Sequence, residues 1–227
     1  MTTIASRLQA VQAGIRSAET AAGRAPRTVQ LLAVSKAQPA SAIRAAYTAG
    51  QRLFGENYLQ EALDKQRELH DLDLEWHFIG PIQSNKTQAI ASHFAWVHSV
   101  DRLKIAERLN AARPADLPAL QICVQVNVSH EASKSGIVPT DAYALAAAII
   151  KLPRLQLRGL MAIPAPTPDI EMQHQQFRIV RELYDALRNK GVSLDTLSMG
   201  MSEDFTAAIA EGATIVRLGT AIFGARD

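Results

Sequence analysis

The stretch VQLLAVSKAQP, residues 29–39, decides how the chain is read. Its first seven residues are mostly apolar, a lysine follows directly, and Pro39 stands three positions further on. A short, bounded apolar run of this kind is what a strand buried on both faces requires. Proline tolerates the first position of a helix, because the N–H it lacks would have no partner there. Residues 29–39 therefore read as a strand running into a helix.

Upstream, Ile4, Leu8, Val11 and Ile15 recur at three- and four-residue spacing and Gly23 and Pro26 supply a stop, which predicts an amphipathic helix over about 3–22. Downstream, the alternation repeats. RLFGEN (52–57) leads into a helix near 58–69, EWHFIGP (75–81) into one near 84–92, and AWVHSV (95–100) into DRLKIAERLNAAR (101–113), with Asp101 as the expected cap. LQICVQVNVS (120–129) precedes a longer loop and a helix from about 140 to 151. LQLRGLMAI (155–163) precedes a helix around 170–189, and TLSMG (196–200) a short one near 203–211. The last run is ATIVRLGTAIFG (213–224).

Eight strands, nearly each followed by a helix, in a chain close to the ~250 residues typical of the architecture, predict an α/β fold: a single (β/α)8 TIM barrel. A doubly wound open sheet usually needs fewer strands, and no linker or composition break divides 1–227 into two domains. Little chain follows the eighth strand, so the extra N-terminal helix is expected to cover the wall an eighth crossover helix would fill.

Composition narrows the function. With 24 Lys+Arg against 22 Asp+Glu, scattered along the chain, the formal charge of +2 argues against an electrostatic grip on nucleic acid. The sequence is 48% hydrophobic and 20% charged, ordinary for a soluble globular protein. No uncharged run approaches the ~18–20 residues of a membrane span, and the first residues lack a signal peptide's apolar core. One cysteine, Cys123, excludes an internal disulfide and fits a reducing, cytoplasmic setting. The six histidines include no pair at metal-ligand spacing, and His77 reads as a hydrogen-bonded core residue. Trp76 and Phe78 read as packing between barrel and helices.

In a barrel the reactive groups stand where strands end at their carboxyl side. Those ends are Ser35-Lys36, Glu56-Asn57, Asn127, Ser198 to Ser202, and Arg217 to Thr220. An amine emerging at the mouth, partly desolvated and near other cations, is a nucleophile for carbonyls, so Lys36 reads as either a Schiff-base lysine or a solvated strand-end lysine. GMSED (200–204) is a glycine turn opening a helix; in RLGT (217–220), Gly219 permits close backbone approach and Thr220 offers a hydroxyl. Both loops suit a phosphate, and with a mouth lysine they describe a pocket for a phosphorylated aldehyde.

These residues carry a resemblance. LLAVSKAQPASAI, FGENYLQEALDK, EWHFIGPIQSNK, NVSHEASKSGI, LRGLMAIPAP, LSMGMSEDFTAAI and VRLGTAIFGARD resemble the pyridoxal 5′-phosphate homeostasis proteins of the PROSC/YggS type, from about residue 4 to Asp227. The family is similar in fold to the barrel domain of alanine racemase, a fold type III arrangement that holds pyridoxal 5′-phosphate (PLP) as an aldimine. The resemblance implies Lys36 as the aldimine lysine and Ser202, Gly219 and Thr220 around the phosphate, with Met201 contributing backbone nearby. It also implies Arg217 facing the pyridine nitrogen and Asn57 lining the ring's edge.

Departures from the racemase pattern matter equally. The β-rich domain that supplies a tyrosine acid/base is not found after strand eight, and Ala37-Gln38-Pro39 lacks the racemase's phosphate-binding tyrosine. The ring-stacking histidine aligns with Ile163, and Lys134 stands where the racemase has an arginine, as a second cofactor contact or as surface charge. The expectation is a cytoplasmic, monomeric PLP-binding protein of cofactor homeostasis that stores, buffers or delivers PLP, with PLP-dependent apoenzymes as recipients, rather than a dedicated catalyst. The rivals are a PLP-dependent amino-acid racemase and a cofactor-free Schiff-base aldolase.

Overall fold

The computed structural model describes residues 3–128 and 135–224. Eight parallel strands close into a barrel in sequence order. They are β1 (Gln30–Val34), β2 (Leu53–Glu56), β3 (Glu75–Phe78), β4 (Trp96–Val100), β5 (Leu120–Val126), β6 (Leu155–Ala162), β7 (Thr196–Ser198) and β8 (Ile215–Leu218). The helices are α1 (Ile4–Ala21), α2 (Ala40–Thr48), α3 (Leu59–Glu68), α4 (Thr87–His93), α5 (Leu103–Ala112), α6 (Ala142–Ile149), α7 (Ile170–Asn189), α8 (Phe205–Ala210) and the single turn α9 (Thr220–Phe223). The eight strands and the helices between them are those the sequence predicts. Short 3₁₀ turns at Ser84–Lys86 and Pro139–Asp141 precede α4 and α6.

Two details differ from the reading of the sequence. Pro39 is the N-cap of α2 rather than its first residue. Arg102, not Asp101, occupies the N-cap of α5, because the Asp101 carboxylate pairs with the neighbouring Arg102 guanidinium at 2.7 Å. Side-chain caps of the usual kind open α1 and α7. The Thr3 hydroxyl accepts from the Ser6 amide at 3.1 Å, and Asp169 accepts from the amides of Glu171 and Met172.

The alternation of side chains along each strand makes two apolar layers. Outward residues such as Ala33, Phe54, Trp76, Phe78, Val97 and Ile122 pack beneath the helices. Inward residues form smaller clusters, Leu32 with Ile79 and Ile215, and Trp96 with Cys123 and Met161. Burial pushes the Cys123 thiol up to about 12, so it is an inert filler.

Helix α1 packs against α8, α9 and α2, covering the wall beside the β1–β8 seam as expected. Among the described residues no helix is long and apolar enough to cross a membrane, and no group of three or more His, Cys, Asp or Glu could hold a metal. Because Leu8 on α1 is only 1% exposed, Leu8→Ala is expected to cost about 2–5 kcal/mol in chemical denaturation while retaining one cooperative transition.

Candidate functional site

The site begins at the seam. Strand β1 pairs with β8 through Leu32 with Arg217 and Ala33 with Leu218, so the loop after β1 meets the loop after β8. A Cβ on Gly219 would stand 3.1 Å from the Val34 carbonyl oxygen, two residues before Lys36. Lys36 is half-buried in the turn that follows. Alternation divides the polar strand ends into two sets. Ser35 and Glu56 turn outward beneath α3, joined by a 2.7 Å hydrogen bond from the Ser35 hydroxyl. Val34 faces inward with Leu32, Lys36 follows two positions later in the turn, and Asn57 lines the mouth.

The loops after β7 and β8 are held together from below and above. The Arg217 amide donates to the Gly200 carbonyl at 2.9 Å, and Gly200 takes φ 97°, a left-handed conformation that favours glycine. Above them the Thr220 hydroxyl lies 3.3 Å from the Ser202 hydroxyl. The Met201 amide donates to Asp204 Oδ1 at 2.5 Å, so this N–H shapes the loop from within. Burial pushes the Asp204 carboxyl above its ordinary range, against the pull of the Met201 amide and of Arg217. Sequence reading passed over Asp204, which looks there like an ordinary helix-start acid.

Arg217 is almost wholly buried. Its Nη1 donates to the Ser198 carbonyl and hydroxyl at 2.5 and 2.8 Å, and its Nη2 to the Ala162 carbonyl at 2.8 Å. Burial lowers this guanidinium to about 10, which still leaves it charged at neutral pH.

Below Arg217 a hydrogen-bonded column descends through the barrel. Ser198 Oγ lies 2.8 Å from His98 Nδ1, His98 Nε2 lies 2.9 Å from His77 Nδ1, and His77 Nε2 lies 2.9 Å from Glu75 Oε1. The carboxylate end sets the protons along the column, because a carboxylate only accepts and a neutral ring that donates at one nitrogen accepts at the other; at the top the Ser198 hydroxyl oxygen accepts from Arg217. Ser198 therefore donates to His98, His98 to His77 and His77 to Glu75, with both rings neutral and protonated at Nε2. Burial drives His98 well below the usual imidazole range, helped by His77 and Arg217, and lowers His77 against the pull of Glu75. His77 also stacks on Trp96, with ring centroids 5.4 Å apart. The sequence marks His77 as a core histidine but not its partner His98.

Asn57 lines a cavity of about 200 Å³ at the mouth with Ile79, Pro81, Gln125, Ser135 and Ile163. Asn57 Oδ1 is buried there without a hydrogen-bond partner. A larger concavity, about 900 Å³, opens at the opposite end, among strand beginnings such as Gln30, Glu75, Trp96 and Gln121. Barrel chemistry belongs to the carboxyl end, so that mouth is the candidate site, and of the residues predicted for it Asn57 lines the smaller cavity. The structure thus gathers Lys36, Asn57, Met201, Ser202, Arg217, Gly219 and Thr220 on strand ends and loops of one mouth; Lys134 lies outside the described residues.

A parallel barrel with a lysine closing its first strand and hydroxyl-bearing loops after its last two defines a class, and a profile of that class, the alanine racemase N-terminal domain, matches residues 6–227. The pyridoxal phosphate homeostasis protein of Pseudomonas aeruginosa is 65% identical over 100% of this chain and 97% of its own length. The protein of that name from Escherichia coli K12 is 54% identical, covering 100% of this chain and 98% of the relative. Among solved structures, PipY of Synechococcus elongatus with PLP bound is 41% identical with a TM-score of 0.86, covering 98% of this chain and 100% of that one. Alanine racemase of Corynebacterium glutamicum shares the fold at 19% identity and a TM-score of 0.69, covering 96% of this chain and 61% of that one. The chain belongs to the pyridoxal phosphate homeostasis family.

The column makes a pH prediction. A histidine held below its unfolded value adds stability above that value and loses it as pH falls through it. Stability is expected to decline below about pH 6.5, the ordinary imidazole value. Nitrogen NMR of the folded protein is expected to show both rings as the neutral Nε2–H tautomer at neutral pH and still neutral where an ordinary imidazole protonates; a ring that protonates at the ordinary value would contradict the column.

Proposed function

We propose that this chain binds PLP and serves its homeostasis in the cytoplasm, storing, buffering or delivering the cofactor through a reversible covalent link to Lys36. The observation that carries the reading is the seam, which puts the loop bearing Lys36 against the loop bearing Gly219 and Thr220. When bound, the cofactor supplies an aldehyde that an amine joins reversibly with loss of water.

The residues at the mouth fit that ligand. The Ser202 and Thr220 hydroxyls are close enough to share one phosphate, and the first amides of α9 have no partner within their own turn. Asn57 Oδ1, buried and unpartnered, is an acceptor suited to a hydroxyl at the edge of an aromatic ring. Arg217 is the residue we assign to the pyridine nitrogen. A guanidinium donates to that nitrogen's lone pair, and because it cannot accept a proton it does not keep the nitrogen protonated as a carboxylate does. The ring is then a weaker electron sink, which favours holding the cofactor over carbanion chemistry. We read residues 1–227 as one domain, acting as a monomer and passing PLP to PLP-dependent apoenzymes by exchange of the lysine for another amine or for water.

Borohydride treatment of the PLP-incubated chain is expected to fix one adduct mass on the peptide containing Lys36, and Lys36→Ala to abolish it at that peptide. Unmodified Lys36 in the native chain would sink the reading. The double substitution Ser202→Ala with Thr220→Val is expected to weaken PLP binding by about tenfold or more, through loss of charge-assisted hydrogen bonds. Steady conversion of one amino-acid enantiomer, dependent on Lys36, would instead favour the racemase rival.

A further inference from the structure

Two peptide groups flank Lys36, and both are tied to the same pair of side chains on α3. The Ser35 carbonyl accepts from Lys65 Nζ at 2.7 Å, and the Ala37 amide donates to Glu61 Oε1 at 2.6 Å. Lys65 and Glu61, one helical turn apart, are bonded to each other at 2.5 Å. Lys65 gives its third bond to Glu56 Oε1 at 2.7 Å, and the Ser35 hydroxyl meets that same oxygen. An ammonium has three protons, and all three are committed here.

The arrangement is expensive for a packing device. The Lys65 side chain is 7% exposed and that of Glu56 is fully buried. Removing such ions from water costs several kcal/mol each, so an apolar pair of similar volume would serve stability as well or better. Ala37 adds strain at φ 58°, in the left-handed region that a side chain disfavours. Strain of this kind persists where surrounding bonds over-determine it, and functional sites are where it collects. What the four groups fix is local: with the peptides before and after Lys36 both anchored, the direction of its Cα–Cβ bond is set and only side-chain torsions remain.

We infer that Lys65 and Glu61 are positioning residues for Lys36, a backbone clamp that aims its amine at an aldehyde carbon in the barrel mouth. The inference rests on the reading of Lys36 given above. In the step it serves, Lys36 Nζ adds to the aldehyde carbon, a C=N bond forms, and the two amine protons leave with the aldehyde oxygen as water. Neither Lys65 nor Glu61 touches the reacting atoms. The clamp acts by holding the nucleophile in near-attack geometry, where small misplacements are costly in rate.

Two ligands separate positioning from general support of the fold: PLP, which has the aldehyde, and pyridoxine 5′-phosphate, which has an alcohol there and cannot form the link. Glu61→Ala is expected to slow the visible-absorbance change on adding PLP by about ten- to hundredfold. Its affinity for pyridoxine 5′-phosphate and its melting temperature without ligand are expected to stay near the native values. Glu61→Gln, whose amide oxygen still accepts from Ala37, is expected to recover most of the rate. Lys65→Met is a harsher probe, since it leaves Glu56 buried without its partner, and Glu61→Ala decides the matter if that variant fails to fold. Equal losses for both ligands in Glu61→Ala would make the group a general support and overturn the clamp, as would native rates. A native chain that gives no adduct on Lys36 overturns the reading of Lys36 and the clamp with it. That is a different result from a native chain that reacts and a Glu61→Ala chain that reacts as fast.

Discussion

Four consecutive residue pairs, Gln30 to Ala33 against Ile215 to Leu218, close the barrel, and the rest of the molecule is arranged around that seam. Without closure the first and last strands would present open edges, and the loops that follow them would have no reason to meet. With it, residues almost two hundred positions apart become neighbours. The close approach at Gly219 is a direct consequence, since any side chain there would press on the Val34 carbonyl. So is the position of α1, which covers the seam from outside where it packs on α8 and α9.

Closure also creates an interior that must be filled, and the chain fills it unevenly. Around β1, β2 and β8 the filling is aliphatic, from Leu32, Ile79 and Ile215 with Val34 and Leu53. On the side of β3, β4 and β7 it is polar, from His77, His98 and Ser198. Neutral imidazoles are tolerated there because every ring nitrogen has a partner and the direction of each bond is imposed from the carboxylate end. The column cannot reverse while Glu75 is ionised, since reversal would require that carboxylate to donate to His77. It therefore acts as a fixed line of dipoles beneath the guanidinium rather than as a path for protons. Three further acceptors, the carbonyls of Ser198 and Ala162 and the Ser198 hydroxyl, hold Arg217 in place.

The fold was readable from sequence because parallel strands buried on both faces leave short apolar runs, and helices of different period separate them. The residues of the mouth were readable for a related reason: Lys36, Asn57, Ser202, Arg217 and Thr220 are the polar groups at which those runs stop. What escaped depends on distance and parity. His98 meets Ser198 across 100 residues, and nothing local marks either as the other's partner. Glu56 and Asn57 look equivalent as strand-end residues, yet one faces the helices and the other the mouth. Glu61 and Lys65 look like the i,i+4 pair of any solvated helix, and only the packing of α3 over β1 and β2 shows that the lysine is buried. Asp101 resembles a cap by type, but the adjacent guanidinium competes for it.

The distribution of buried charge separates what the fold needs from what the mouth needs. Among the described residues the buried charged side chains are Glu19, Glu56, Lys65, Arg113, Glu211 and Arg217. Glu19 accepts the amides of Arg27 and Val29, and Arg113 donates to the carbonyls of Ala91, Phe94 and Pro118, so each braces turns that lead into strands at the end away from the mouth. Glu211 lies among His174, Arg178 and Arg181 on the outer helices. Glu56, Lys65 and Arg217 brace the opposite end: Lys65 holds the Ser35 carbonyl, and Arg217 holds the carbonyls of Ser198 and Ala162. They sit on or behind the ends of β1, β2 and β8. Keeping ions there costs desolvation, and the groups they hold are the peptide before Lys36 and the carbonyls that end β6 and β7. On the role proposed for Lys36, one amine must meet one carbonyl carbon, and that demands fixity of direction more than stability.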